Sequence, residues 1–530
     1  MLRQVLLTLA LPLAAVAALP AALGGAARGE GEPGPPDTAN APSAGGPGAK
    51  PDALPPILET PPVTTEQSVR AGGRTLDYSV TAGTLPVTNE KGEVEARLFF
   101  TAYTLKTEQR DPRRPLMFSF NGGPGSSSVW LHLGGLGPRR VRMVDDGAMP
   151  RPPFDLVENE HTWLGETDLV FIDPVDTGYS RAATPELTKR FTGVDEDLGA
   201  VAEFIRLYLT RHDRWDAPLF LVGESYGTFR AAGLAGLLVE RGIAFNGIVL
   251  ISSILDMGTA RFVPGNDLPY VLFLPTYTAT AWYHGRLAKD LQRRGLDDVL
   301  AEVEAWATSE YTIALARGNT LDEKARTRFH EQVARYTGLS QAYVALSNGR
   351  IQIHRFCKEL LRDEGKTVGR LDSRYTGFDA LGVSERPDFD PSMAAIRPPF
   401  TTMLNTYVRR DLGYRTDLEY HILRGLDWDW GSAAEGYPRT TTALADAFAR
   451  NPYLHLFVAS GRYDLATPYF ATDHTVDHLP LAPGIRQQIE IASYPVGHMV
   501  YLERETLARL GEDVTGFIGR ATTRQDRSLR

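Results

Sequence analysis

Residues 218–227 read Pro-Leu-Phe-Leu-Val-Gly-Glu-Ser-Tyr-Gly. The apolar run 218–222 has the character of a buried strand. It passes without a spacer into Gly223-Glu224-Ser225-Tyr226-Gly227, and a helical pattern follows over 230–241. A serine at a sharp strand-to-helix turn needs small neighbours, because the helix doubles back close to the strand. The helix amino terminus there also favours developing negative charge. Gly-x-Ser-x-Gly is a short pattern that a plain turn also satisfies. Its weight comes from the strand before it and the helix after it.

Working outward, short strands are expected at 75–80 and 96–104, joined by a polar turn with Asn89 and Gly92. Further strands are expected at 116–120, 168–172, 247–252, 454–459 and 488–494. The spacing of Leu198, Val201, Ile205, Tyr208 and Leu209 predicts a helix over 195–210, and another is expected over 504–518. Strands alternating with helices imply an α/β fold whose mostly parallel sheet is covered on both faces. The stretch 261–396 breaks the alternation and is mainly helical, with candidates at 301–316, 321–336 and 351–362. The expected layout is a core part at 61–260, a helical cap insertion at 261–400, and a second core part at 401–520. A polar tail follows at 521–530.

The amino end reads differently. Arg3 precedes an almost wholly apolar stretch at 5–19, and Gly25-Ala26-Ala27 offers a cleavage site, so 1–27 is expected to be a secretory signal peptide. An uncleaved membrane anchor is the rival reading, weakened by Pro12 and Pro20. Residues 28–60 are rich in Pro, Gly and Ala, which is expected of a disordered linker. Export implies a secreted or periplasmic location, with no membrane association once the signal is removed. The chain's 56 Lys+Arg against 65 Asp+Glu, a net charge of −9, argue against a nucleic-acid partner. One cysteine among 530 residues excludes an internal disulfide framework and a zinc ribbon.

A serine nucleophile needs a base, and the base needs a carboxylate to orient it. Gly461-Arg462-Tyr463-Asp464 follows the 454–459 strand, and Gly497-His498-Met499 follows the 488–494 strand. Ser225, Asp464 and His498 thus stand in α/β-hydrolase order at one sheet edge. Asp473 and Asp477 are rival acids, but they fall in an expected helix further from a strand end. Asn121-Gly122-Gly123-Pro124-Gly125-Ser126-Ser127-Ser128 follows the 116–120 strand, and its glycines allow N–H groups to point at an oxyanion.

Taken together, Asn-Gly-Gly-Pro-Gly-x-Ser-Ser, Gly-Glu-Ser-Tyr-Gly, Gly-x-x-Asp and Gly-His-Met resemble the serine carboxypeptidases. The stretch 169–180, Leu-Val-Phe-Ile-Asp-Pro-Val-Asp-Thr-Gly-Tyr-Ser, is also similar to that family. The resemblance spans about 75–510 and is weakest in the insertion. It implies an α/β-hydrolase fold with a helical cap, and removal of single residues from peptides with a free carboxyl terminus. It implies Ser225 as nucleophile, His498 as general base and acid, and Asp464 as its orienter. The Gly123 and Tyr226 N–H groups would form the oxyanion hole. Asn121, the Gly122 backbone and Glu224 would hold the substrate's terminal carboxylate. No cofactor and no metal are expected. Glu224 donates to a carboxylate only when protonated, so an acidic optimum is expected for peptides.

Three departures stand out. Ser126 replaces a cysteine usual in the family, Ser119 replaces a frequent tryptophan, and Gly135 replaces a glutamate that pairs with the carboxylate-binding glutamate. Esterase or acyl-transfer work on the same triad is therefore an alternative, and a catalytically dead binding protein a further one. Phe273, Tyr277, Trp282 and Tyr283 are read as core before pocket lining. His474 and His478 are read as a solvated helix face before a metal site. Cys357 is read as a small buried apolar residue.

Overall fold

The computed structural model describes residues 60–523, apart from 109, 110, 112 and 432–435. The expected signal peptide, all but the last residue of the linker, and most of the tail lie outside these. The strands are β1 (Val63–Ala71), β2 (Arg74–Thr88), β3 (Val94–Leu105), β4 (Leu116–Phe120), β5 (Asp168–Ile172), β6 (Leu219–Ser225), β7 (Gly247–Ser253), β8 (His455–Gly461) and β9 (Ile489–Tyr494). In space they run β1-β2-β3-β5-β4-β6-β7-β8-β9, with the two-residue strand Arg181–Ala182 pairing beside β3. The β1–β2, β2–β3 and β3–β5 pairs are antiparallel. From β5 to β9 every pair is parallel. This is the mostly parallel sheet of the α/β-hydrolase fold.

Parallel strands are buried on both faces, and side chains alternate between them. Phe220 and Val222 of β6 join Met117 and Phe457 in one core cluster. Leu219 and Leu221 point the other way and join Phe118, Leu456 and Val458 in a second. Helices α1 (Val194–Arg211) and α2 (Tyr226–Glu240) cover the second face with Val201, Phe204, Ile205, Leu234 and Leu238. Strand β1 escapes the sequence reading because seven of its nine residues are not buried; only Val69 and Ala71 are.

Between β7 and β8 lie α3 (Leu268–Tyr283), α4 (Leu296–Trp306), α5 (Glu323–Thr337), α6 (Pro391–Thr406) and α7 (Thr441–Arg450). The expected 301–316 helix is α4 followed by a wide turn at Ala307–Tyr311 and a short helix at Thr312–Arg317. The 351–362 helix is shorter, Ile353–Glu359. Phe273 and Tyr277 of α3 are core, in a separate cluster with Val299, Val333, Phe356 and Cys357. Tyr283, by contrast, is half exposed. Helix α6 runs across residue 400, where the insertion was expected to end. Its Phe400, Met403 and Leu404 pack into the first sheet cluster, so this helix serves the sheet rather than the cap. The last helices are α8 (Tyr469–Asp477) and α9 (Arg504–Thr522); α9 buries Leu507, Leu510, Val514 and Phe517 on the same face as α6.

A charged pair sits inside this apolar packing. Arg230 of α2 is 1% exposed. Its Nε donates to Asp197 Oδ2 of α1 at 2.7 Å, Nη2 to Asp197 Oδ1 at 3.2 Å, and Nη1 to the Asn121 carbonyl at 2.8 Å. Removing one partner of such a pair leaves an uncompensated buried charge, at a cost of about 3–5 kcal/mol. Asp197→Ala is expected to lose about that much stability in denaturant unfolding. A loss below about 1 kcal/mol would show that the pair does not anchor α2.

Candidate active site

Strand β6 runs three residues beyond the expected 218–222, and α2 starts at Tyr226, four residues earlier than expected. Ser225 is the joint. Its backbone has φ 59° and ψ −129°, which a side-chain-bearing residue rarely adopts; such strain costs about 1–3 kcal/mol. A Cβ at Gly223 would lie 2.1 Å from the Gly227 carbonyl oxygen, so only glycine lets the strand and the returning helix approach this closely. Thr228 Oγ1 donates to the Ser225 carbonyl at 2.6 Å and accepts from Ile254 N–H at 2.9 Å, holding the turn from inside.

Asp464 and His498 meet as expected. His498 Nδ1 lies 2.7 Å from Asp464 Oδ2, and both side chains are buried. A hydrogen bond at Nδ1 leaves Nε2 as the basic nitrogen of the neutral ring. Asp464 is itself fixed: Oδ1 accepts from Ala466 N–H at 2.7 Å and Thr467 N–H at 3.1 Å, and Oδ2 from Thr467 Oγ1 at 2.7 Å. Burial opposes charging of His498, but Asp464 and then Glu224 outweigh it and hold its pKa above the usual histidine value. The rival Asp473 has its carboxyl pushed up to about 7 by burial, with Glu304 and Asp477 adding to it; its position is on α8.

The histidine loop is clamped by groups that sequence reasoning missed. His498 N–H donates to the Leu371 carbonyl at 2.6 Å, Gly497 N–H to Asp372 Oδ2 at 3.2 Å, and Ser252 Oγ to the His498 carbonyl at 2.6 Å. Asp372 is held in turn by Arg374 Nη2 at 2.7 Å, and Arg374 Nη1 reaches Glu503 at 2.9 Å. Leu371 and Asp372 lie beyond the last helix expected in the insertion, at 351–362, and no sequence signal marks them.

The loop after β4 lies against the start of α2. A Cβ at Gly122 would be 2.3 Å from the Tyr226 nitrogen, and Gly123 has φ 102°. The expected oxyanion residues Gly123 and Tyr226 are thus on adjoining backbone. Asn121 is buried, its Oδ1 accepting from Leu131 N–H at 3.1 Å. Ser126, in place of the family cysteine, accepts from Trp130 Nε1 at 2.8 Å and donates to the Ser127 carbonyl at 3.0 Å. Ser127 N–H donates to the Ile422 carbonyl at 3.1 Å, and Arg424 N–H to the Gly125 carbonyl at 3.2 Å, so the 420–430 segment straps this loop. Trp428 and Trp430 from the same segment present edges to the Tyr226 ring, with centroids 5.4 and 5.9 Å away.

Glu224 is 3% exposed, and its Oε1 is 4.0 Å from His498 Nε2. Burial pushes its carboxyl up to about 7; His498, Tyr501 and Asn121 act to lower it, and Asp464 to raise it. Tyr501 Oη donates to Glu224 Oε2. Tyr501, on the histidine loop, fills the space beside Gly135 and makes this contact. The position three residues after His498 was the only sequence hint. Among the described residues no group of three or more His, Cys, Asp or Glu side chains is placed to hold a metal ion. The rings of His474 and His478 lie 4.0 Å apart with their planes inclined by 36°. Cys357 is buried and unpaired with another cysteine, and burial raises its thiol pKa.

The model of the serine carboxypeptidase family matches residues 73–256. Serine carboxypeptidase-like 8 of Arabidopsis thaliana is 32% identical over 155 residues, 27% of this chain and 33% of that protein. The pheromone-processing carboxypeptidase KEX1 of Saccharomyces cerevisiae is 31% identical over 156 residues, 27% of this chain and 20% of that protein. The matches thus span a third or less of these curated relatives. The crystal structure of KEX1(delta)p, a prohormone-processing carboxypeptidase from Saccharomyces cerevisiae, aligns with 83% of this chain and 91% of its own at 15% identity and a TM-score of 0.47.

Gly223→Ala tests the elbow. The added methyl meets backbone and not a flexible side chain, so the variant is expected to lose about 3 kcal/mol in thermal or denaturant unfolding. A wild-type unfolding midpoint would mean that the strand and helix are not packed this closely.

Proposed function

We propose, from the match of residues 73–256 to the model of the serine carboxypeptidase family, that the chain hydrolyses the carboxyl-terminal peptide bond of peptides by a serine mechanism. Ser225 Oγ attacks the scissile carbonyl as His498 Nε2 takes its proton. Asp464 keeps the ring in place and stabilises the imidazolium. The N–H groups of Gly123 and Tyr226 receive the oxyanion, aided by the amino terminus of α2. His498 then returns the proton to the departing amino group, leaving an acyl-enzyme on Ser225. Water, deprotonated by the same histidine, releases the shortened peptide and restores the serine. The amino-terminal pattern supports export, and no helix among the described residues is long and apolar enough to cross a membrane.

The observation that carries the exopeptidase reading is Glu224, a buried carboxyl next in sequence to Ser225 and 4.0 Å from His498. Together with Asn121 and the Gly122 backbone it would bind the substrate's free carboxylate. A neutral carboxyl donates a hydrogen bond to that group, whereas a charged one repels it. The Glu224 carboxyl is pushed up to about 7, so the neutral form is present below that pH and is lost above it. Tyr501 in place of a second carboxyl favours the other reading, amidase, esterase or acyl-transfer work. A phenol donor stabilises a charged Glu224, which suits substrates without a free carboxylate.

Comparing a blocked dipeptide with its carboxyl-terminal amide separates the two. For a carboxypeptidase, the ratio of kcat/KM for the free acid to that for the amide is expected to fall about tenfold from about pH 6 to about pH 8. Glu224→Gln should flatten that ratio. Equal, pH-independent turnover of both substrates would favour the amidase or esterase reading. Ser225→Ala should lower kcat about 10⁴-fold or more and abolish labelling by a fluorophosphonate. A folded wild type that resists the label would leave the dead binding protein standing.

A further inference from the structure

Tyr501 is built into the site in a way that exceeds packing. It lies between His498 and α9, with 1% of its surface exposed. Its ring occupies the space beside two residues without side chains. A Cβ at Gly134 would fall 2.4 Å from Tyr501 Cε2, and one at Gly135 would fall 2.6 Å from Tyr501 Cβ. The backbone that makes this slot is held from outside: Asn159 Nδ2 donates to the Gly135 carbonyl at 2.7 Å and to the Gly137 carbonyl at 2.8 Å. What the slot delivers to Glu224 Oε2 is a single hydroxyl.

We propose that Tyr501 is a positioning residue for terminal-carboxylate binding: by donating to Oε2 it forces the proton of a neutral Glu224 onto Oε1 and sets the pH at which that proton is lost. The inference rests on the reading of Glu224 given above. The groups that face the Glu224 carboxyl are His498, Tyr501, Asn121 and, beyond His498, Asp464. The groups that face the Tyr501 hydroxyl are Glu224 and Asn121. Burial, and then Glu224, hold the phenol pKa well above its ordinary value, so this hydroxyl keeps its proton through the working range. A phenol that always donates leaves Oε2 an acceptor only. The carboxyl proton, when present, then sits on Oε1, the oxygen 4.0 Å from His498 Nε2. The same bond favours the charged carboxylate and so moves deprotonation to lower pH than burial alone would set.

Tyr501→Phe keeps the ring in its slot and removes only the donor. With the free-acid and amide forms of one blocked dipeptide, the pH midpoint of their kcat/KM ratio is expected to rise by about one unit. Amide turnover and fluorophosphonate labelling of the same variant are the reference against which the free-acid rate is read. In the Glu224→Gln background, whose ratio no longer titrates, Tyr501→Phe should produce no midpoint. An unmoved midpoint in Tyr501→Phe overturns the proposal, as does an equal loss on acid and amide, which a merely structural ring would give. A wild type whose ratio does not titrate at all overturns the carboxylate-binding reading itself, a result separable from the others because it needs no variant.

Discussion

The strained backbone at Ser225 is the constraint on which the surrounding structure depends. A residue with a side chain stays at φ 59° only if the chain on both sides leaves it no alternative. Strand β6 lies in the middle of the parallel sheet, bonded to β4 and β7, and α2 is tied to α1 and to the loop after β4 by the three hydrogen bonds of Arg230. Strand and helix are therefore each held by their neighbours, and the one residue between them carries the left-handed backbone. The same Arg230 bond to the Asn121 carbonyl sets the glycine loop against the amino end of α2, so the elbow and the loop are one construction.

The second half of the site is assembled from further away. Asp464 and His498 come from the ends of neighbouring parallel strands, β8 and β9, which brings two residues 34 positions apart within 2.7 Å. Their placement is then refined by groups outside that pair. The 371–374 segment grips the backbone at Gly497 and His498, and Ser252 at the end of β7 holds the His498 carbonyl. A stretch that falls within the expected cap thus holds the backbone on which His498 sits. Burial of Glu224 and His498 together couples their charges: each favours the ionised form of the other, while burial opposes both.

Much of this was legible in the chain. The strands 116–120 and 168–172 are bounded as expected, because buried parallel strands are continuous apolar runs with sharp ends. The motif residues fall at strand ends because the fold exposes strand ends at one edge. Strand β1 was not legible, since an edge strand with a mostly exposed, polar sequence has no apolar run to betray it. Helix α6 straddles the expected end of the cap at 400, yet its Ile396, Phe400 and Met403 pack against the sheet. An amphipathic helix announces that it has a partner but not which one.

What the sequence by itself determined is therefore the order of elements and the side chains placed at their ends: Ser225, Asp464 and His498 after three apolar strands, and Asn121 to Gly123 after a fourth. These are local patterns, and local patterns survive in one dimension. Only the tertiary structure decided that Tyr501 reaches Glu224, that Asp372 grips Gly497, and that the 420–430 segment straps the glycine loop. Each of these joins residues more than a hundred positions apart. Each depends on space left by absent Cβ atoms or on backbone groups that every residue shares. Neither absence nor a peptide N–H carries a sequence signature, so both become visible only once the chain is folded.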